Sequence, residues 1–204
     1  AGTLSDQEAF PKVDPELLSI EMRYPRIKDL LIEMNSDLYF LHECDFFEKL
    51  QADIGNLYEC YFHKKQTNPD GSVILFKKTL RNSGFGLDVH EGKRFKDDQG
   101  QEVSQGYQRA SLTYTDETGQ TIKLLEIVNT HLKAKKPNHQ IRQGQIVQIL
   151  EALHGHKVAM IVGDLNCDPD EDGIQLIRDS GFIKSIESDT AFTSYKLRKT
   201  VERR

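Results

Sequence analysis

Apolar residues at Ile27, Leu30, Leu31 and Met34 recur at the spacing of one helix face and predict a helix over about residues 15–35, bent where Pro25 interrupts it. Residues 37–43 (DLYFLHE) read as a short buried strand and residues 45–53 as a short helix. Two further strands, 57–62 and 72–77, flank a turn that contains Asn68, Pro69, Asp70 and Gly71, where Pro and Gly supply turn geometry. From about 81 to 106 Gly, Asp, Gln and Lys dilute the apolar pattern, and the stretch reads as a long loop. Strands 107–114 and 122–129 follow, separated by a turn at 116–119. A helix over 139–154 turns Ile146, Ile149, Leu150 and Leu153 inward, 158–162 is a continuous apolar strand, and 171–179 closes the pattern as a helix. There is no internal repeat and no low-complexity linker. Strands with helices interspersed, several apolar on both faces, predict two packed sheets with helices outside.

Composition narrows this only a little. At 204 residues, 37% hydrophobic and 29% charged, the chain fits one globular domain over 1–204 and is too apolar for global disorder. No apolar run approaches a membrane span, so none is expected. The first residue is Ala1, without a signal-like start, so the numbering is expected to begin inside a longer chain. Cys44, Cys60 and Cys167 form no C-x-x-C pair, so no disulfide partner is expected and a reducing compartment, cytoplasmic or mitochondrial, fits. The net charge of −5 gives no overall nucleic-acid footprint. Positive charge is nonetheless gathered at Lys133, Lys135, Lys136, His139 and Arg142, and again at Lys196, Arg198, Lys199, Arg203 and Arg204. An acidic run at Asp168, Asp170, Glu171 and Asp172 lies between. Such clusters are ordinarily solvated faces.

Candidate chemistry sits at strand ends, where α/β folds place ligand sites. Glu43 ends DLYFLHE, His131 ends LLEIVNTH, and Asp164 with Asn166 ends VAMIVGDLN. The carboxylates are hard oxygen donors suited to Mg²⁺, which takes one or two of them and leaves positions for water and phosphate. His131 can donate to a phosphate oxygen as charge develops there, and Asn166 can hold a phosphate or a water. Taken singly, a surface glutamate, a capping aspartate and an ordinary histidine would explain the same residues.

In chain order, Leu41-His42-Glu43-Cys44-Asp45, Asn129-Thr130-His131-Leu132 and Gly163-Asp164-Leu165-Asn166 resemble the LQE-x-D, NTHL and GD(F/L)N signatures of the endonuclease/exonuclease/phosphatase superfamily. His131-Leu132-Lys133-Ala134-Lys135 and Thr193-Ser194-Tyr195-Lys196-Leu197-Arg198 are similar to segments of its nocturnin-like, deadenylase-type branch. The resemblance implies a four-layer αββα sandwich of the DNase I-like type, of mixed α/β class. It also implies Mg²⁺ on Glu43, His131 on the scissile phosphate, and Asp164 positioning or activating water with Asn166 beside it. Lys133, Lys135 and Lys64 would meet further substrate phosphates. Cys44 stands where Val is common and keeps a small apolar side chain.

Two family elements do not appear: an opening strand ending in a metal-site Asn, and a closing Ser-Asp-His segment with the catalytic His. The expectation is therefore most of an active site, in a fold incomplete at both ends and inactive as an isolated piece. Two substrates compete, the 2′-phosphate of NADP(H) and the 3′ end of poly(A) RNA. RNA favours stacking aromatics and a broad basic groove. The absence of Trp and the net acidity lean toward the dinucleotide. A non-catalytic nucleotide-binding relative, and an abasic-site nuclease or sphingomyelinase-like lipid phosphodiesterase, are the other readings.

Overall fold

Residues 14–90 and 92–183 are described by the computed structural model. A helical turn, Pro15–Leu18, leads into α1 (Ile20–Met34). The chain continues through β1 (Leu38–Cys44), α2 (Phe47–Ile54), β2 (Tyr58–Lys64) and β3 (Gly71–Lys77). After a 3₁₀ segment (Lys78–Ser83) come β4 (Phe85–Val89), β5 (Lys93–Lys96), β6 (Glu102–Thr115) and β7 (Thr121–His131). A short 3₁₀ turn (Lys136–Asn138) opens α3 (His139–Ala152), followed by β8 (Ala159–Asp164) and α4 (Asp172–Asp179).

The strands form two sheets. One has the order β1-β3-β2, antiparallel throughout; the other has the order β4-β6-β7-β8, with β5 also paired to β6. The β7–β8 pair is parallel, with α3 in the crossover between them. Strand β3 shows why the pattern reads as continuous apolar sequence: it is covered on both faces. Val73 and Leu75 join Tyr24 and Leu31 of α1 and Leu50 and Ile54 of α2, whereas Ile74 and Phe76 meet Leu87, Ala110 and Ile127 of the other sheet. Beyond that sheet, Val128 and Tyr107 pack against Ile146 and Ile149 of α3 and Leu153 just past its end, with Leu176 and Ile177 of α4 alongside. The layers therefore run helix, sheet, sheet, helix. Ile74, Phe76 and Ile127 are fully buried between the sheets, and each side chain there is worth about 1.5–3 kcal/mol by burial. Among the described residues no helix is long and apolar enough to cross a membrane.

Three sequence expectations need correction. The helix expected over 15–35 starts at Ile20, because Ser19 is extended (φ −64, ψ 147) and its hydroxyl caps the helix by accepting from Met22 N. Its buried stripe is Ile20, Tyr24, Ile27 and Leu31, while Leu30 and Met34 are 54% and 58% exposed. The Tyr24 hydroxyl bonds Asp53 Oδ2 at 2.8 Å and Lys49 O at 3.1 Å, which turns that face toward α2. The stretch 81–106 is not a long loop. It holds β4, β5 and the start of β6, and a turn whose Asp97 carboxylate accepts from Gln99 N and Gln101 N joins the last two. Among the described residues β4 and β5 each pair only with β6, and with Gly86, Asp88, Lys93, Arg94 and Lys96 set among their apolar residues the pattern is too dilute to read.

Candidate active site

The register of the parallel β7–β8 pair sets His131 opposite Asp164. Their side chains approach to 4.0 Å (Nε2 to Oδ2), and Leu132 N donates to Asp164 O at 2.9 Å beyond the strand end. Gly163 makes the approach possible. Its φ is +133°, and a Cβ there would stand 1.8 Å from Thr130 O and 2.9 Å from His42 Nε2. Strand β1 reaches the same place through a bulge: Leu41 pairs with Val73 but Cys44 with Gly71, so one residue is extra on β1. Bulges re-aim side chains, and here Glu43 takes a left-handed backbone (φ 55) while His42 turns its ring edge-to-face to His131 at 5.8 Å. Nδ1 of His42 shares a hydrogen bond with Ser72 Oγ at 3.2 Å.

Among the described non-glycine residues, positive φ occurs at Asn35, a helix cap, and at Glu43, Lys135 and Asn166. Three of the four thus lie in or beside this cluster, where strain of about 1–3 kcal/mol each is commonly retained at functional sites.

The two histidines sit in a largely desolvated setting, with Asp164 open to solvent beside them. Burial, reinforced by the Lys65 ammonium, holds His131 below the ordinary histidine range, while Asp164, Glu43 and Asp70 pull the other way. Burial and the adjacent His131 push His42 down to about 4. Both imidazoles are consequently neutral near pH 7, able to donate or accept without carrying charge. His131 Nδ1 and His42 Nε2 are buried and lack a hydrogen-bond partner among the described residues. Lys65 makes an ion pair with Asp70, and Lys65 N donates to Asp70 O at 3.0 Å, closing the loop before β3.

Of the residues singled out from the sequence, Glu43, His131 and Asp164 share one electrostatic neighbourhood. Asn166 joins them as a shaping residue: its Nδ2 donates to Leu132 O at 3.0 Å and its N–H to Asp164 Oδ1 at 2.9 Å. Lys133 and Lys135 follow His131 directly, the first half-buried and the second exposed. Lys64 is exposed and lines a groove of about 1400 Å³ with Lys93, Arg94 and Lys96. The neighbouring Lys65 is the lysine whose field reaches His131. Arg142, counted in the basic cluster from the sequence, is 1% exposed and ion-paired with Glu171. The 193–198 segment and the C-terminal basic cluster lie outside the described residues. Nothing in the sequence pattern marks His42, Ser72, Lys65 or Asp70 as a site residue. Asp70 stands in the recognised turn and His42 beside Glu43, but only the fold brings them under His131.

Among the described residues no group of three or more His, Cys, Asp or Glu is placed to hold a metal ion. Mg²⁺ does not need one, since it is commonly held by one or two carboxylates with water and phosphate completing its shell. Glu43 and Asp164, whose fields both act on His131, are carboxylate donors of the right type for such a loosely held cation.

No family model and no curated protein matches the sequence. Solved structures do. The human Nocturnin catalytic domain with bound sulfate anion superposes with a TM-score of 0.66 and 22% identity, over 81% of this chain and 64% of that one. ANGEL2, a 2′,3′-cyclic phosphatase in complex with adenosine-2′,3′-vanadate, gives 0.69 and 18% over 85% and 52%. An endonuclease/exonuclease/phosphatase family protein from Bacteroides thetaiotaomicron gives 0.55 and 14% over 79% and 61%. The chain thus has the endonuclease/exonuclease/phosphatase fold and spans between about half and two thirds of the length of these proteins.

Proposed function

We propose that this chain carries most of the catalytic site of a protein that, at full length, is a Mg²⁺-dependent phosphoesterase removing the 2′-phosphate of NADP(H). The observation that carries the reading is the β7–β8 register, which sets neutral His131 beside Asp164 at the head of a lysine-bearing loop. The oxyanions held by two proteins of the same fold, a sulfate and an adenosine-2′,3′-vanadate, support a phosphate-sized ligand. Glu43 would hold the Mg²⁺, which when bound supplies charge neutralisation and polarises a phosphoryl oxygen.

The remaining work falls to side chains. Asp164 orients a water and accepts its proton as the water oxygen bonds to phosphorus and the bond from phosphorus to the ribose oxygen breaks, the leaving oxygen taking its proton from solvent. His131 donates an N–H to a phosphoryl oxygen whose charge grows in the transition state; being neutral, it does so without a change of protonation. Asn166 keeps Asp164 and the Leu132 carbonyl in place. Lys133 and Lys135 hold the other phosphates of the dinucleotide.

A second reading, removal of nucleotides from the 3′ end of poly(A) RNA, draws on the groove lined by Lys64, Lys93, Arg94 and Lys96, which would suit a longer polyanion. Phosphate release from NADPH and shortening of an A-tailed RNA by the full-length protein, each with Mg²⁺ and with EDTA, separate the two. Phosphate release dependent on Mg²⁺, with the RNA intact, is the expected result. RNA shortening alone favours the second reading, binding without turnover favours a non-catalytic relative, and neither binding nor turnover sinks both.

A further inference from the structure

We propose that Arg142 is a positioning residue that shapes the 133–135 loop into an anion-binding platform, an inference that builds on the phosphate-binding reading of Lys133 and Lys135. The guanidinium is buried in α3 and cannot reach solvent. Its Nε and Nη2 donate to the two Glu171 carboxylate oxygens at 3.0 and 2.6 Å, and its Nη1 donates to Lys133 O at 3.0 Å and Lys135 O at 2.8 Å. The loop is tied at other points as well. Gln145, 2% exposed, accepts from Lys133 N at 3.0 Å, and Asn138 Nδ2 donates to Ala134 O at 2.6 Å. The carbonyls of residues 133, 134 and 135 are therefore all engaged by protein donors, and Lys135 is held at φ +80°.

The consequence is electrostatic. A carbonyl oxygen turned toward an incoming phosphate repels it; drawn onto a buried guanidinium, it leaves the lysine ammoniums as the groups the anion meets. Arginine suits this task because its planar fork serves a carboxylate and two loop carbonyls at once, which a lysine ammonium cannot do. Stability alone is a poor explanation for the pair, since buried ion pairs of this kind commonly gain little over apolar residues of the same size. Glu171 also accepts from Asp168 N at 3.2 Å, and Lys136 reaches Asp168 at 3.0 Å, so the clamp joins the loop after His131 to the loop after Asp164.

The test uses R142M/E171Q in the full-length protein, which removes both charges and leaves neither orphaned. Inorganic pyrophosphate binding is measured by isothermal titration, KM and kcat on NADPH by phosphate release, and folding by urea melts. Pyrophosphate affinity is expected to fall roughly tenfold, as for a binding loop that must order on association, with KM rising in parallel and kcat within about twofold. K133M/K135M is expected to lose a similar factor, and joining the two pairs of changes to add nothing further, the mark of groups that act through one another. A folded R142M/E171Q with wild-type affinity, or losses that simply add, would overturn the inference. Should R142M/E171Q fail to fold, R142K decides: the same tenfold loss is expected, and wild-type affinity refutes. Pyrophosphate binding by the wild type without NADPH hydrolysis would defeat the proposed substrate and leave the clamp intact. An absence of pyrophosphate binding by the wild type would defeat the clamp.

Discussion

Replacing His42 by glutamine removes a titrating group from beneath His131 while keeping a side chain able to bond Ser72 Oγ. In the folded chain His42 titrates at about 4, against 6.5 when unperturbed. The folded-state value is depressed for a base, so below pH 6.5 the unfolded chain binds the proton more readily than the folded one. Stability must then fall as pH drops from 6.5 toward 4, and be unaffected by this residue at higher pH. At pH 5 the unfolded imidazole is almost fully protonated and the folded one only about a tenth so. The difference amounts to about 2 kcal/mol, against almost nothing at pH 7.5. Urea unfolding followed by circular dichroism at pH 7.5, 6.5, 5.5 and 5.0 reads this directly. His131, whose range is also lowered by burial, remains in both proteins and largely cancels in the difference. H42Q should therefore lose about 2 kcal/mol less than the wild type between pH 7.5 and 5.0. Parallel curves for the two proteins would refute the claim that His42 is held neutral by its surroundings.

Three further outcomes are expected. E126Q should destabilise by about 1–3 kcal/mol at pH 7, less than for a fully dry pair, because its partners Arg109 and Lys123 are 32% and 45% exposed and can turn to water; a urea midpoint equal to wild type would count against it. Despite burial, hydrogen bonds from Ser111 and Lys123 hold Glu126 below the usual carboxylate range, so its contribution is lost as pH falls through the folded value. G163A should cost 2 kcal/mol or more and weaken hydrolysis, since its Cβ would strike Thr130 O in a backbone conformation that side chains rarely adopt; an unchanged melt would show that β7 and β8 can part without cost. On the proposed mechanism, D164N should lower Mg²⁺-dependent phosphate release by roughly 10²–10⁴-fold while shifting stability by less than about 0.5 kcal/mol, as a surface change does; rates within a few-fold of wild type would remove Asp164 from the chemistry.

Much of this architecture is readable in the linear order of residues, for local reasons. Strands β1, β3, β7 and β8 carry apolar runs long enough to declare themselves, and Glu43, His131 and Asp164 are visible at their ends because polar residues there interrupt an apolar pattern. The inward face of α3 follows from its spacing: Ile146 and Ile149 are buried, Leu150 is half-buried, and Leu153 is buried just past the helix end. Other features depend on partners distant in sequence. Which stripe of α1 is buried is decided by Tyr24 reaching Asp53, 29 residues away. Strands β4 and β5 exist because β6 offers them hydrogen bonds, not because their own residues are strongly apolar. Lys64 and Lys65 are adjacent and alike in charge, yet alternation along an extended chain sends one to the groove and the other toward His131. Arg142 shows the same division: its charge is legible in the sequence, but Glu171 and the loop carbonyls, met only on folding, turn that charge from a surface ligand into an internal support. Periodicity records which residues prefer the interior. What a buried polar group does there is set by the partners that the tertiary structure brings to it.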